Sequence, residues 1–254
     1  MNAATKPALP VAIAAVKKHV PPRVVENAEL ETRMGLRPGW IVERTGIERR
    51  FWADKDTGTV ALGLPAVQAA LDAAGVKASD LDLIIGACAV PQQALPVTSC
   101  FLAADLGVSG VGCYDVNASC FSFPVAVWQG AQAIARGDAE RVLVWSSEVS
   151  SRGVDFDQPA SCCLFGDGAA AAAVVKAAGP LEGAAMHTFH LRTYPVGRFD
   201  AQIRAGGTMV LPDRDDFDEA AFDKAFKFHM NGKAIFKHAL ENAPGFLQEF
   251  FTEK

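Results

Sequence analysis

The residues of this 254-residue chain best suited to chemistry surround one cysteine. In Gly112-Cys113-Tyr114-Asp115-Val116-Asn117-Ala118-Ser119-Cys120-Phe121 a short apolar strand meets a turn of small residues, and a helical pattern follows at once. A helix opening at Cys120 would hold its thiol at the positive end of the helix dipole, which favours the thiolate. A thiolate held there is a nucleophile for acyl transfer. The local pattern equally fits a buried structural cysteine, since free Cys is among the most buried residue types. The other cysteines are Cys88, Cys100, Cys113, Cys162 and Cys163, and no C-x-x-C occurs. That weakens zinc and thioredoxin-like readings, and no metal site is expected. Adjacent Cys162 and Cys163 are poorly placed to bridge each other, and in a reducing compartment most of these thiols should be free and buried.

The elements that must position Cys120 follow from pattern. Val11 to Val16 reads as a first strand. Thr57 to Gly75 reads as a helix, capped by Thr57 or Thr59 and stopped by Gly75. Leu81 to Cys88 suits a strand covered on both faces. Thr98 to Leu106 is a helix ended by Gly107, and Gly112 to Asn117 is the strand that leads to the nucleophile. The next helix runs from Cys120 to about Arg136, with Pro124 in its first turn, where a missing N–H costs little. Arg141 to Ser147 is another strand. Strands alternating with helices at this spacing imply βαβ units and a mainly parallel sheet. Leu164 to Val175 (LFGDGAAAAAVV) is ambiguous: an alanine run favours helix by propensity, yet a strand after the Gly-Asp-Gly turn is preferred, because small side chains let layers approach closely.

Half the residues are apolar and the formal net charge is −5, which argues against general nucleic-acid binding. No apolar run approaches the roughly 20 residues that cross a bilayer. The Val11–Val16 run is too short for a signal segment, and Lys17-Lys18 follow rather than precede it. A cytoplasmic protein without a membrane span is expected.

Three separated motifs now converge. Trp40-Ile41-Val42-Glu43-Arg44-Thr45-Gly46-Ile47-Glu48-Arg49-Arg50, Asp115 to Phe123 (DVNASCFSF) and Phe165-Gly166-Asp167-Gly168-Ala169-Ala170 resemble, in order and spacing, the W-I-x-x-R-T-G-I-x-x-R signature, nucleophile segment and F-G-D-G-A turn of the β-ketoacyl-acyl-carrier-protein synthase III family. The resemblance implies an α/β thiolase-like fold, with two related halves in five αβαβα layers. Residues 1–178 would form the first half with the nucleophile and residues 179–254 the beginning of the second. It implies that Cys120 accepts the acyl group, that Trp40 stacks on the adenine end of coenzyme A and Arg44 supplies charge there, and that Thr45 is a secondary contact. Arg152 lies where the family often carries a further cofactor-contacting arginine. Met230-Asn231-Gly232-Lys233-Ala234-Ile235-Phe236-Lys237 is similar to the family's M-x-G-x-x-[VI]-F-K helix start. Gly232 would let the pantetheine arm pass and Phe236 would wall its tunnel. Leu95 falls where the family projects an apolar side chain into the neighbouring subunit's acyl pocket, and Phe121 stands beside the nucleophile, where it could shape that pocket or serve the core.

The implied substrates are acyl-coenzyme A and an acyl carrier protein, with no permanently bound cofactor, in a homodimer or heteromer. The family's catalytic His and Asn lie in P-H-Q-A-N-like and H-G-N-like segments. Neither occurs in this sequence, and His19, His187, His190, His229 and His238 have no matching neighbourhoods. The second half is therefore expected to be truncated at Lys254: a fragment, a shortened product, or a component completed by another chain. On that expectation Cys120 can be acylated while condensation lacks its enolate-stabilising donors. The alternative function is a non-catalytic or partial subunit of a heteromeric ketosynthase. Head-to-head condensation is disfavoured, because Val90-Pro91-Gln92-Gln93-Ala94 lacks the acid that relatives of that type carry before the Leu95 position. A Rossmann dehydrogenase is disfavoured by the lack of G-x-G-x-x-G after the early strand.

Overall fold

A computed structural model of the protein describes residues 8–211 and 218–252. Its strands are β1 (Val11–His19), β2 (Val24–Glu26), β3 (Arg49–Phe51), β4 (Leu83–Gly86), β5 (Gly112–Asp115), β6 (Arg141–Glu148), β7 (Gly168–Lys176), β8 (Ala201–Gln202) and β9 (His229–Met230). Its α-helices are α1 (Asn27–Arg33), α2 (Trp40–Thr45), α3 (Thr59–Ala74), α4 (Thr98–Asp105), α5 (Ser122–Arg136), α6 (Pro159–Cys162), α7 (Glu219–Ala225) and α8 (Gly232–Thr252). They belong to two compact units. The first takes in the chain up to Arg23, Phe51–Val149 and Asp167–Phe189; the second comprises Val24–Arg50, Ser150–Gly166 and the chain from His190 onward.

The first unit is built on a five-stranded sheet in the order β1-β7-β6-β4-β5. β4 runs parallel to both β5 and β6, while β7 is antiparallel to both β6 and β1. The sheet is thus mixed rather than mainly parallel, and the connecting elements differ to match. Parallel neighbours need a long crossover, usually a helix. Helices α4 and α5 serve that purpose between β4, β5 and β6, whereas only the four-residue α6 and a short 3₁₀ turn lie between β6 and β7. The alanine run is a strand. Ala171, Ala172, Ala173 and Val174 are almost wholly buried. As in any strand, successive side chains face opposite layers. Ile84, Leu143, Trp145 and Ala171 pack with Val60, Val67, Ala70 and Leu71 of α3 and Leu102 of α4. Ile85, Val142, Val144 and Val174 pack with Ala126, Val127, Ala131 and Ile134 of α5. Helix α3 lies so close that a Cβ at Gly63 would stand 2.7 Å from the Trp145 ring.

Helix α3 starts one residue later than a Thr57 cap would place it. Gly58 is its N-cap without a side-chain cap of its own, so Thr59 is the first helical residue rather than the cap. The Val60 N–H instead donates to the side chain of Gln92, 3.1 Å away and far along the chain.

In the second unit, β2 pairs with β3 and β8 with β9. The Phe228 N–H donates to the Gly153 carbonyl at 2.7 Å, and the Phe165 and Phe228 rings meet edge to face with centroids 4.8 Å apart. Asp218 caps α7 by accepting from the N–H groups of Ala220 and Ala221. Helix α8 has no buried residue and exposes Phe236, Leu240 and Phe251. Among the described residues no helix is long and apolar enough to cross a membrane.

Candidate active site

The strand–turn–helix around Cys120 is present, with one correction: the helix begins at Ser122, not at Cys120. Phe121 is the N-cap, Pro124 falls in the first turn as expected, and Cys120 lies on the preceding turn. The reason is Ser119. Its backbone is left-handed, with φ of 53°, and it is the one such non-glycine residue among those described. A left-handed backbone costs an L-residue roughly 1–2 kcal/mol and cannot continue into a right-handed helix without a break. Both sides of Ser119 are pinned. Its N–H donates to Asn117 Oδ1 at 2.9 Å, and its carbonyl accepts from the buried Ser122 hydroxyl at 2.6 Å. The Ser122 oxygen in turn accepts from the Ala118 N–H at 2.9 Å. Cys120 is exposed, so the buried structural reading does not hold for it.

The remaining thiols divide. Cys88, Cys162 and Cys163 are buried, Cys113 is partly so, and Cys100 is exposed like Cys120. Burial pushes the Cys88 thiol up to about 12 and the Cys162 thiol up to about 11, so both stay protonated near neutral pH. The expectation of mostly buried thiols therefore fails at Cys100 and Cys120.

Asp115, at the end of β5, is structural. Its carboxylate accepts the backbone N–H groups of Thr98 and Ser99 and the Ser99 hydroxyl, which anchors the start of α4. Ser99 also accepts from the Trp145 indole at 3.1 Å. Gly86 makes room for this: a Cβ there would lie 2.2 Å from Asp115 Oδ1. Leu95, in the loop before α4, is 79% exposed, so it is not covered within its own chain among the described residues. Phe121 is partly exposed and lies near the ring of Phe189, which stacks on Trp128 with centroids 5.3 Å apart. Phe123 packs with the α5 core.

The second unit carries the residues expected to meet coenzyme A. Trp40 opens α2 and Arg44 lies one turn on, its guanidinium 4.7 Å from the centre of the Trp40 ring. The pair therefore stack on each other. Displacing such an exposed cation–π contact costs only about 0.5–1 kcal/mol. Thr45 closes α2: its hydroxyl donates to the Ile41 carbonyl at 2.8 Å and accepts the Ile47 N–H at 3.0 Å. Arg152 lies beside the residues that lead into Met230. The Arg152 carbonyl accepts from Lys227 Nζ at 3.2 Å, beside the Gly153–Phe228 bond. Met230 is half-buried in β9, while Gly232 and Phe236 are exposed at the start of α8, Phe236 by 65%. A Cβ at Gly232 would meet only the Met230 side chain, at an ordinary 3.6 Å.

A sequence profile of the family described as 3-oxoacyl-[acyl-carrier-protein (ACP)] synthase III matches residues 114–195, which include the Cys120 turn and the Gly-Asp-Gly turn. The β-ketoacyl-[acyl-carrier-protein] synthase III of Methylococcus capsulatus is 42% identical over 232 residues, covering 90% of this chain and 67% of that protein. The chain belongs to the β-ketoacyl-acyl-carrier-protein synthase III family. Solved synthase III structures agree. That of Pseudomonas aeruginosa PAO1 superposes with a TM-score of 0.76 at 26% identity, over 91% of this chain and 67% of its own. That of Thermus thermophilus superposes with 0.77 at 30% identity, over 91% and 68%. The thiolase-like fold of the synthase III family is thereby the fold of this chain.

Two supports of the synthase III signature escaped sequence reasoning. Glu31, in α1, is buried, and its carboxylate accepts the N–H groups of Gly39 at 3.0 Å and Ile41 at 2.9 Å, which fixes the start of α2 under Trp40. Arg50, the last arginine of the signature, is 5% exposed and donates to Asn27 Oδ1 at 2.8 Å. Its Nε and Nη1 have no hydrogen-bond partner among the described residues, and burial lowers its pKa. Nothing in the spacing flags Glu31. Arg50 was visible only as a motif letter, without its burial.

Proposed function

We propose that this synthase III relative transfers an acyl group from acyl-coenzyme A to Cys120 and that the family's condensation with a malonyl group on acyl carrier protein follows from that acyl-enzyme. The observation that carries the reading is Cys120 itself: an exposed thiol at the turn before α5, on a backbone pinned at Ser119 from both sides. In the first step the Cys120 thiolate attacks the thioester carbonyl carbon. The tetrahedral oxyanion collapses, the coenzyme A thiolate departs and takes up a proton, and a new thioester remains on Cys120. Exchanging one thioester for another is close to balanced, so catalysis there is a matter of presenting the sulfur and the carbonyl in line. In the second step the malonyl carboxylate leaves as carbon dioxide, the resulting enolate carbon attacks the Cys120 thioester carbonyl, and the Cys120 thiolate is released with the β-ketoacyl product.

Trp40, Arg44 and Thr45, with Arg152, Met230, Gly232 and Phe236, are assigned to the coenzyme A thioester, and Leu95 and Phe121 to the acyl group. Supporting this, Trp40 presents an aromatic ring at a helix start that Glu31 fixes through the Gly39 and Ile41 N–H groups, with the exposed cation of Arg44 against it. Residues 1–178 and 179–254 are assigned to the first half and the start of the second, in a cytoplasmic homodimer or heteromer. The test is direct. Purified chain is incubated with radiolabelled acetyl-coenzyme A, and protein-bound label is counted before and after malonyl-acyl carrier protein is added. Stoichiometric label that is lost in Cys120→Ala supports the acyl-enzyme, and label in Cys120→Ala equal to wild type overturns it.

A further inference from the structure

We propose that Glu148 is a positioning residue for Cys120, acting in series through the Ala89 peptide and the Asn117 side chain. This rests on the reading of Cys120 as the nucleophile. Glu148 closes β6, and its carboxylate Oε1 accepts the Ala89 N–H at the start of the loop after β4. The carbonyl of that same residue accepts from Asn117 Nδ2 at 3.0 Å. Asn117 turns its other amide atom, Oδ1, to the Ser119 N–H at 2.9 Å. Ser119 holds the left-handed backbone immediately before Cys120. Four residues from three separated stretches thus form one line of hydrogen bonds, and every link sits in the first unit.

The line has a direction set by chemistry. A carboxylate only accepts, so Glu148 holds the Ala89 and Val90 N–H groups, and the peptide plane that carries the Val90 N–H also carries the Ala89 carbonyl. That carbonyl can only accept, so it decides which end of the Asn117 amide faces it. The oxygen of Asn117 is then left for Ser119, where the turn needs an acceptor. Reversing the amide would oppose two donors at Ser119 and two acceptors at Ala89. The Val90 N–H also bonds to Glu148. Burial raises the pKa of Glu148, against the pull of the Ala89 and Val90 N–H groups. The Ser122 bonds steady the turn from the helix side, but they do not reach β6.

The experiment uses the full chain and the variants Glu148→Gln, Asn117→Ala, Asn117→Asp and Glu148→Gln/Asn117→Ala. Three quantities are read: the melting temperature, the rate of Cys120 alkylation by iodoacetamide, and the acylation rate and KM with acetyl-coenzyme A. A misplaced sulfur should slow saturated acylation about tenfold or more in Glu148→Gln and Asn117→Ala while KM stays within about twofold. Because the links are in series, the double variant should be no slower than the slower single one. Asn117→Asp keeps the acceptor for Ser119 and loses the donor to Ala89, so it should be as slow as Asn117→Ala. Multiplying losses in the double variant, wild-type rates in Asn117→Asp, or KM effects with an unchanged limiting rate would each overturn the proposal. If Glu148→Gln does not fold, the exposed Asn117 pair decides alone. If wild type takes no label from acetyl-coenzyme A, the proposed function fails, and the alkylation rates still decide the relay.

Discussion

At the scale of single residues, exposure and burial divide six otherwise similar thiols. Brief iodoacetamide treatment at neutral pH should label Cys120 first. Cys100 is the exposed competitor, and Cys88 and Cys162 should stay unmodified while the protein is folded, because their thiols titrate near 12 and 11. Peptide mass spectrometry reads the order directly, and earlier labelling of Cys100 than of Cys120 would count against a special nucleophile. The stacked Trp40–Arg44 pair gives a second expectation. Arg44→Ala should weaken acyl-coenzyme A binding roughly three- to tenfold without unfolding the chain, the order expected of one exposed charge contact. Part of the effect is charge attraction, so the gap between variant and wild type should narrow at high salt in a calorimetric titration.

At the scale of elements, the connection between β6 and the loop after β4 depends on the half-buried carboxylate of Glu148, whose pKa burial raises against the pull of the Ala89 and Val90 N–H groups. The sign follows from linkage. A carboxyl with a raised folded-state pKa contributes stability that is complete below its ordinary value of 4.5 and is lost as pH rises through the folded value. Glu148→Gln cannot titrate there. Its melting temperature relative to wild type should therefore climb as pH is raised from about 4 toward 7, and a flat difference across that range would contradict the burial argument. How far the elements were legible varies with the range of the forces that set them. The strands β4, β5 and β6 and the helices α3 and α5 followed from periodicity and glycine stops, because burial on two faces imposes local patterns. The alanine run resolves as strand β7 only because α3 and α5 press on it from either side, which no local propensity encodes. The start of α5 was misplaced by two residues, since one serine backbone breaks the helix. Cys120, Trp40 and Arg44 were visible as letters of motifs. Arg50 and Glu148 were not singled out, because their partners lie 23 and 59 residues along the chain and only folding brings them together; Glu31 was missed because its nearby partners, Gly39 and Ile41, are backbone N–H groups that no side-chain pattern marks.

At the scale of the whole molecule, the exposed apolar residues of α8 set the behaviour in solution. Phe236, Leu240, Leu247 and Phe251 are each about half exposed or more. Apolar surface grouped on one element favours association. The purified polypeptide Met1–Lys254 should run above its 26.9 kDa monomer mass in light scattering, increasingly so with concentration. Leu240→Lys together with Leu247→Glu should lower that mass, and a monomer at all concentrations for wild type would refute the expectation. The sheet of the first unit has a consequence in time. Strand β1 bonds along its length to β7, Val11 opposite Lys176 and His19 opposite Ala169. During synthesis the first strand therefore leaves the ribosome on the order of ten to thirty seconds before its partner exists, at ordinary elongation rates. A nascent chain arrested before Gly168 should be open to protease at β1 and held by chaperones, and one arrested well beyond Lys176 should not. The birth of this protein is a wait for its alanines.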